Sequence, residues 1–159
     1  MISGGTLVLT SDLSNTSGTT VHSGATLQTQ GSLSLNRDTF VNSGATLETQ
    51  GTLSVNGMFT AGGALSLVDS SSALSVENTL TFANGSSLNV TVEQGGDAPI
   101  ESNTAITGTL TNVVVTSTEA CNDCKLLKAP LDNIDVSVVS NSLNWQSSAT
   151  RVVQGVQVL

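Results

Sequence analysis

Residues 19–38, TTVHSGATLQTQGSLSLNRD, lie over residues 39–58, TFVNSGATLETQGTLSVNGM, without a gap. Position 39 thus restarts what position 19 began, and two phrases recur in step with that period. SGATL stands at Ser23–Leu27 and again at Ser43–Leu47, preceded by SGGTL at Ser3–Leu7. GGAL at Gly62–Leu65 and NGSSL at Asn84–Leu88 follow. The second phrase runs SDLS at Ser11–Ser14, GSLSL at Gly31–Leu35, GTLSV at Gly51–Val55 and SALSV at Ser72–Val76. Self-similarity at a fixed short period marks an array of stacked units, each unable to bury its apolar side alone.

Within each unit the alternation has period two, the pattern of strands. Val21, Ala25, Leu27, Thr29, Leu33 and Leu35 point one way; Thr26, Gln28, Ser32 and Ser34 point the other. Gly24, Gly31 and Asn36 interrupt the alternation and imply about three short strands per unit with tight turns between them. No segment spaces helix formers at i, i+3 and i+4. These features predict an all-β parallel β-solenoid, a right-handed β-helix of about 20 residues per coil. Like residues then stack about 4.8 Å apart. Leu7, Leu27, Leu47 and Leu88 form one interior column, Leu13, Leu33, Leu53 and Leu74 a second, and Val21, Val41 and Phe82 a third. An antiparallel sandwich would not need matching residues at a fixed period.

The repeat divides the chain into regular coils over residues 1–92 and an irregular end with a C-terminal cap over 93–159, in one continuous domain. Residues 93–104, EQGGDAPIESNT, read as a loop leaving the coil, and ACNDCKLLKAPLDN as a second interruption. Strand patterning resumes in GTLTNVVVTS, IDVSVVS, SLNW and RVVQGVQVL, with the lone tryptophan at Trp145. At the other end Met1-Ile2-Ser3 aligns with Val21-His22-Ser23, as expected of a segment cut from a longer solenoid. MISGGTLVLT has neither a basic n-region nor a long apolar h-region, so no secretory signal is expected there.

Composition narrows the function. Only 10% of the 159 residues are charged and 3% aromatic, and four Lys+Arg against twelve Asp+Glu give a net charge of −8. Phosphate backbones and anionic lipid surfaces repel such a chain, so neither nucleic acid nor membrane is an expected partner. Hydrophobic residues still reach 38%, which separates the chain from disordered sequences.

The SGATL and GTLSV coils, followed by LTFANGSSLNVTVEQGG and then TAITGTLTNVVVTS, resemble the C-terminal part of Gram-negative autotransporter passenger domains. Residues 79–92 and 105–116 follow that family's order of a "tl.f..gs.l.v.v" phrase, an acidic loop and a "tl.g.l.v" phrase. The style is similar to filamentous-haemagglutinin-type adhesins as well. The resemblance implies a right-handed β-helix ending in a stabilising cap, displayed extracellularly at the bacterial cell surface. The implied role is a non-enzymatic stalk, spacer or adhesin module. Its partners would be host-surface or matrix glycans or proteins, or other copies of itself.

Several residues invite a chemical reading. Cys121 and Cys124 form the single CxxC, and His22, the only histidine, lies too far along the chain to complete a zinc site with them. In the extracellular setting that the resemblance implies, a structural disulfide between Cys121 and Cys124 is the expectation. Neither metal nor cofactor is expected. The step from GTLSV to SALSV is one residue longer than the regular period and carries Glu48 onto Asp69, below Gln28. Two such carboxylates would suit a glycosidase, the basis of an alternative as a carbohydrate-binding or polysaccharide-cleaving β-helix. No basic or aromatic residue flanks them, Arg37 and Arg151 are far apart, and catalysis is not expected. Thr6, Thr26 and Thr46 form an outward file that suggests an ice- or surface-binding solenoid, but Val8, Gln28 and Glu48 occupy the next file. His22 gives way to Asn42 one coil on and reads as an exposed position. The sequons at Asn15, Asn84 and Asn89 carry little weight in the bacterial setting that the resemblance implies.

Overall fold

Short strands leave one apolar side each, and here, from Ala25–Gln30 onward along one face, the inward side chains stack on those of the neighbouring coil. The computed structural model describes residues 1–11, 17–93, 95–117, 124–130, 133–138, 143–145 and 156–158. It is an all-β parallel solenoid.

Strand β1 (Gly5–Leu9) belongs to the first coil. The second coil carries β2 (Thr19–Val21), β3 (Ala25–Gln30) and β4 (Leu33–Leu35). The third carries β5 (Thr39–Val41), β6 (Thr46–Gln50) and β7 (Thr52–Val55), and the fourth β8 (Phe59–Ala61), β9 (Ala64–Leu67) and β10 (Ala73–Val76). Next come β11 (Leu80–Val92), β12 (Ile100–Ser102), β13 (Ile106–Ser117) and β14 (Leu127–Lys128). The last are β15 (Ile134–Val138), β16 (Leu143–Trp145) and β17 (Val156–Val158).

The coil has three faces. On the first, β2, β5, β8, the start of β11, the start of β13, β15 and β17 follow one another in parallel. On the second, the order is β1, β3, β6, β9, the end of β11, the end of β13 and β16. On the third it is β4, β7, β10, β12 and β14. Because β11 and β13 each run across two faces, the first and second faces join in one twelve-stranded sheet, and the third is a five-stranded sheet of its own.

The interior columns follow the predicted phase. Leu27, Leu47, Leu65, Leu88 and Val113 stack on the second face, all buried. Leu33, Leu53, Leu74, Ile100 and Leu127 stack on the third, and Val21, Val41, Ala61 and Phe82 on the first. Leu7 heads its column with Leu27 as its one ladder neighbour and stays 40% exposed. Leu13, expected in the third-face column, lies outside the described residues. Thr29 and Thr49 are polar yet interior; their hydroxyls bond to each other at 3.2 Å, which satisfies groups that burial would otherwise leave unpaired.

Coil length is not constant. On the second face the step from Leu27 to Leu47 is one regular period, and the step from Leu47 to Leu65 falls short of it. The next two steps, Leu65 to Leu88 and Leu88 to Val113, are each longer than the one before. The columns stay in register because the corners absorb the difference. Residues 42–45 join β5 to β6, but only Gly62 and Gly63 join β8 to β9. Gly63 permits this tight corner, since a Cβ there would run into the carbonyl oxygens of Ala45 and Asn42. The next corner compensates: residues 68–72 stand between β9 and β10, where Gly51 alone stands between β6 and β7.

Three expectations change. Ile2, rather than Met1, pairs with Val21, because that phase turns an apolar side chain toward the core and leaves Met1 88% exposed. Residues 93–104 are not wholly a loop, since Ile100–Ser102 forms a rung whose Ile100 extends the column above Leu74. The second interruption likewise supplies a rung at Leu127–Lys128. In the C-terminal third, β15, β16 and β17 extend the same parallel ladders, and the coil lengthens again in the step from Val113 to Leu143.

The in/out phase is directly testable. Leu53 is fully buried between Leu33 and Leu74, whereas Ser54 points outward. Leu53→Asp buries an unpaired charge and is expected to cost more than about 4 kcal/mol. Ser54→Asp should stay within about 0.5 kcal/mol. Thermal melts of the two variants check this, and equal losses would mean that the phase is wrong.

Candidate functional site

Outward positions on the second face form three parallel files. Thr6, Thr26 and Thr46 make the first, which ends where Ala64 takes the next rung. Val8, Gln28, Glu48 and Ser66 make the second. Gln30 and Gln50 make the third, and Val68 follows them one rung on, its N–H donating to the Thr49 carbonyl at 3.0 Å. The threonine file therefore has no second threonine file beside it. On the first face Thr60, Thr81 and Thr107 occupy consecutive rungs, between Phe40 and Asp135, in a file the repeat alone did not single out.

The expected carboxylate pair is not formed. Glu48 faces Ser66, not Asp69, because the shortening at Gly62–Gly63 precedes β9 and the compensating insertion follows it. The longer step read from GTLSV to SALSV holds on the third face, where Leu53 meets Leu74, and cannot be carried to the second. Asp69 instead closes the lengthened corner. Its Oδ1 accepts from the Ser71 hydroxyl at 2.7 Å, the Ser72 hydroxyl at 2.8 Å and the Ser71 N–H at 3.0 Å. These donors, Ser71 first, hold the Asp69 carboxyl below the ordinary carboxylate value. Ser72 is buried, and its oxygen lies 3.3 Å from both the Gly51 and Asp69 nitrogens, so it ties the corner to the coil before it.

What the second face does bring together is a cleft of about 190 Å³ lined by Gln28, Thr29, Gln30, Glu48, Gln50 and Val68. Gln28 Nε2 donates to Glu48 Oε2 at 2.5 Å. The cleft arises from a step in side-chain size: long residues on two rungs are followed by Ser66 and Val68 on the next. Repetition of ATLQTQ as ATLETQ was one available sequence signal, and GGAL, which sets Leu65 less than one period after Leu47, was the other. A second cleft, about 210 Å³, lies where residues 70–73 meet residues 91–93 and 96–99, and includes Glu93 and Asp97.

The other singled-out residues fall apart in space or in function. His22 Nδ1 lies 3.4 Å from Asn42 Nδ2 on the outside of the coil; His22 is half-buried there rather than exposed, and Asn42 is exposed. Among the described residues no group of three or more His, Cys, Asp or Glu could hold a metal ion. Cys124 is buried and disulfide-bonded. Cys121, its expected partner, lies outside the described residues, as do Asn15 and Arg151. Glu101, one rung above Lys128, pairs with it at 3.1 Å on an exposed surface, where such a bridge contributes at most about 1 kcal/mol. Comparison of the chain with protein-family models, with curated proteins and with solved structures finds no match.

The Asp69 corner generates a pH dependence. A carboxyl whose value is lower in the folded chain than in the unfolded one stabilises the fold above about pH 4. That contribution disappears as pH falls through the folded value. Asp69→Ala should therefore lower the melting temperature at pH 7 and differ little from the parent near pH 2. A gap that stays constant across that range would show that the Asp69 charge plays no part.

Proposed function

We propose that this chain is a non-enzymatic β-solenoid segment displayed at the bacterial cell surface, serving as spacer and stabilising end of an adhesin-like secreted passenger. The observation that carries this reading is the continuity of the interior columns while the coil shortens between Leu47 and Leu65 and lengthens between Val113 and Leu143. Such a rod gains about 4.8 Å of length per coil whatever its corners do. A body whose length is set by coil number, and whose corners are free to vary, suits a stalk. The net charge of −8 with few charged side chains suits a solvated surface that avoids nucleic acid and anionic lipid. Separation of Glu48 from Asp69 removes the one carboxylate pair that suggested glycosidase chemistry. On this reading the partners are host-surface or matrix glycans or proteins, or further copies of the chain.

Protease shaving of intact source cells, with mass-spectrometric identification of the released peptides, tests the placement. Peptides from residues 19–92 should appear in the shaved fraction. Their confinement to the cytosolic fraction would overturn the proposal, as would turnover of any polysaccharide that is lost in Glu48→Gln.

A further inference from the structure

The cleft on the second face holds polar groups that the fold itself leaves unused. Gln28 satisfies one oxygen of Glu48, and no described residue hydrogen-bonds the other. The side-chain amides of Gln30 and Gln50 are exposed and bond to no described residue. Each offers a carbonyl acceptor and two N–H donors. Val68, 54% exposed, adds an apolar wall beside them. The in-register ladder spaces these groups regularly: neighbouring rungs are about 4.8 Å apart, and alternate residues on one strand about 6.6 Å apart.

We propose that this cleft binds a neutral saccharide unit, one ring of a longer glycan. Vicinal hydroxyls are both donors and acceptors at close spacing, which matches the mixed capacity of the two amides and the carboxylate. The ring's C–H surface matches Val68. The size agrees, because about 190 Å³ falls below the roughly 300–1,000 Å³ of pockets for drug-sized ligands and suits a single ring. Anionic ligands are disfavoured by Glu48 and by the net charge of −8. No aromatic residue lines the cleft, so affinity should be weak, on the order of 1 mM. In the roles assigned, the Glu48 carboxylate accepts from sugar hydroxyls, the Gln50 amide accepts from and donates to them, Gln30 completes the rim, and Gln28 positions the Glu48 carboxylate. This inference rests on the cleft alone and holds whether or not the chain is a passenger segment.

The test uses the full 159-residue chain labelled with ¹⁵N and titrated with maltohexaose, cellohexaose, xylohexaose and mannohexaose. At least one sugar should shift the side-chain amide signals of Gln28, Gln30 and Gln50, saturably and without dependence on salt. Glu48→Ala and Gln50→Ala should each weaken that binding about tenfold at unchanged melting temperature, since each removes a hydrogen-bonding group from the site. Thr60→Ala, on the first face, should leave it intact. Absence of shifts with all four sugars would overturn the proposal, as would retention of binding in Gln50→Ala. If oligolysine shifts these signals and the sugars do not, the site is one for cationic peptides and the saccharide assignment is wrong.

Discussion

Everything in this molecule depends on keeping like residues in register between neighbouring coils. Each strand is too short to hold its conformation alone, and its backbone N–H and C=O groups are satisfied by the coils on either side. The same ladder places Leu27, Leu47, Leu65 and Leu88 in one column, so hydrogen bonding and apolar burial enforce one alignment. A slip of one residue would turn every leucine outward and every serine or glutamine inward. The cost of that slip grows with the number of coils, which is why short weak strands suffice.

Among the short strands, length variation is confined to the corners for the same reason. Inserting a residue within a strand would break a column, whereas inserting it between faces changes only the path around the corner. The fourth coil shows both signs: a saving at Gly62–Gly63 and an expansion at residues 68–72. The expansion needed its own polar scaffold, and Asp69 with Ser71 and Ser72 provides it. The long strands β11 and β13 tolerate their own irregularity, with register shifts between Phe82 and Ser86 and between Ser86 and Ser87.

Fold class, strand phase and the interior columns were legible because a repeat states the same structural fact several times. The alternation at Val21–Leu35 decided which residues face inward, including the buried Thr29. What could not be read was where a changed period is absorbed. In the sequence the step from Leu53 to Leu74 is one residue over the period while GGAL sets Leu65 short of it, and neither spacing alone shows at which corner residues are lost and regained. The carboxylate pair failed on that point. The rung at Ile100–Ser102 was hidden because a three-residue strand after a proline-containing corner has too little pattern to stand out. The cleft escaped notice because Val68 follows the longer Gln30 and Gln50 in its file, and this step becomes visible only once the rungs are aligned.

Engineered disulfides read that alignment directly. In-register partners on adjacent parallel strands have Cα atoms about 4.8 Å apart, inside the roughly 4.4–6.8 Å window for a bridge. Two double variants are compared after mild oxidation, Glu48→Cys with Ser66→Cys and Glu48→Cys with Asp69→Cys, by mass spectrometry of the monomer. Corner-absorbed register predicts an intramolecular bridge between positions 48 and 66 and none between 48 and 69. A bridge formed only between 48 and 69 would mean that the extra residues lie within the strands, contradicting the account.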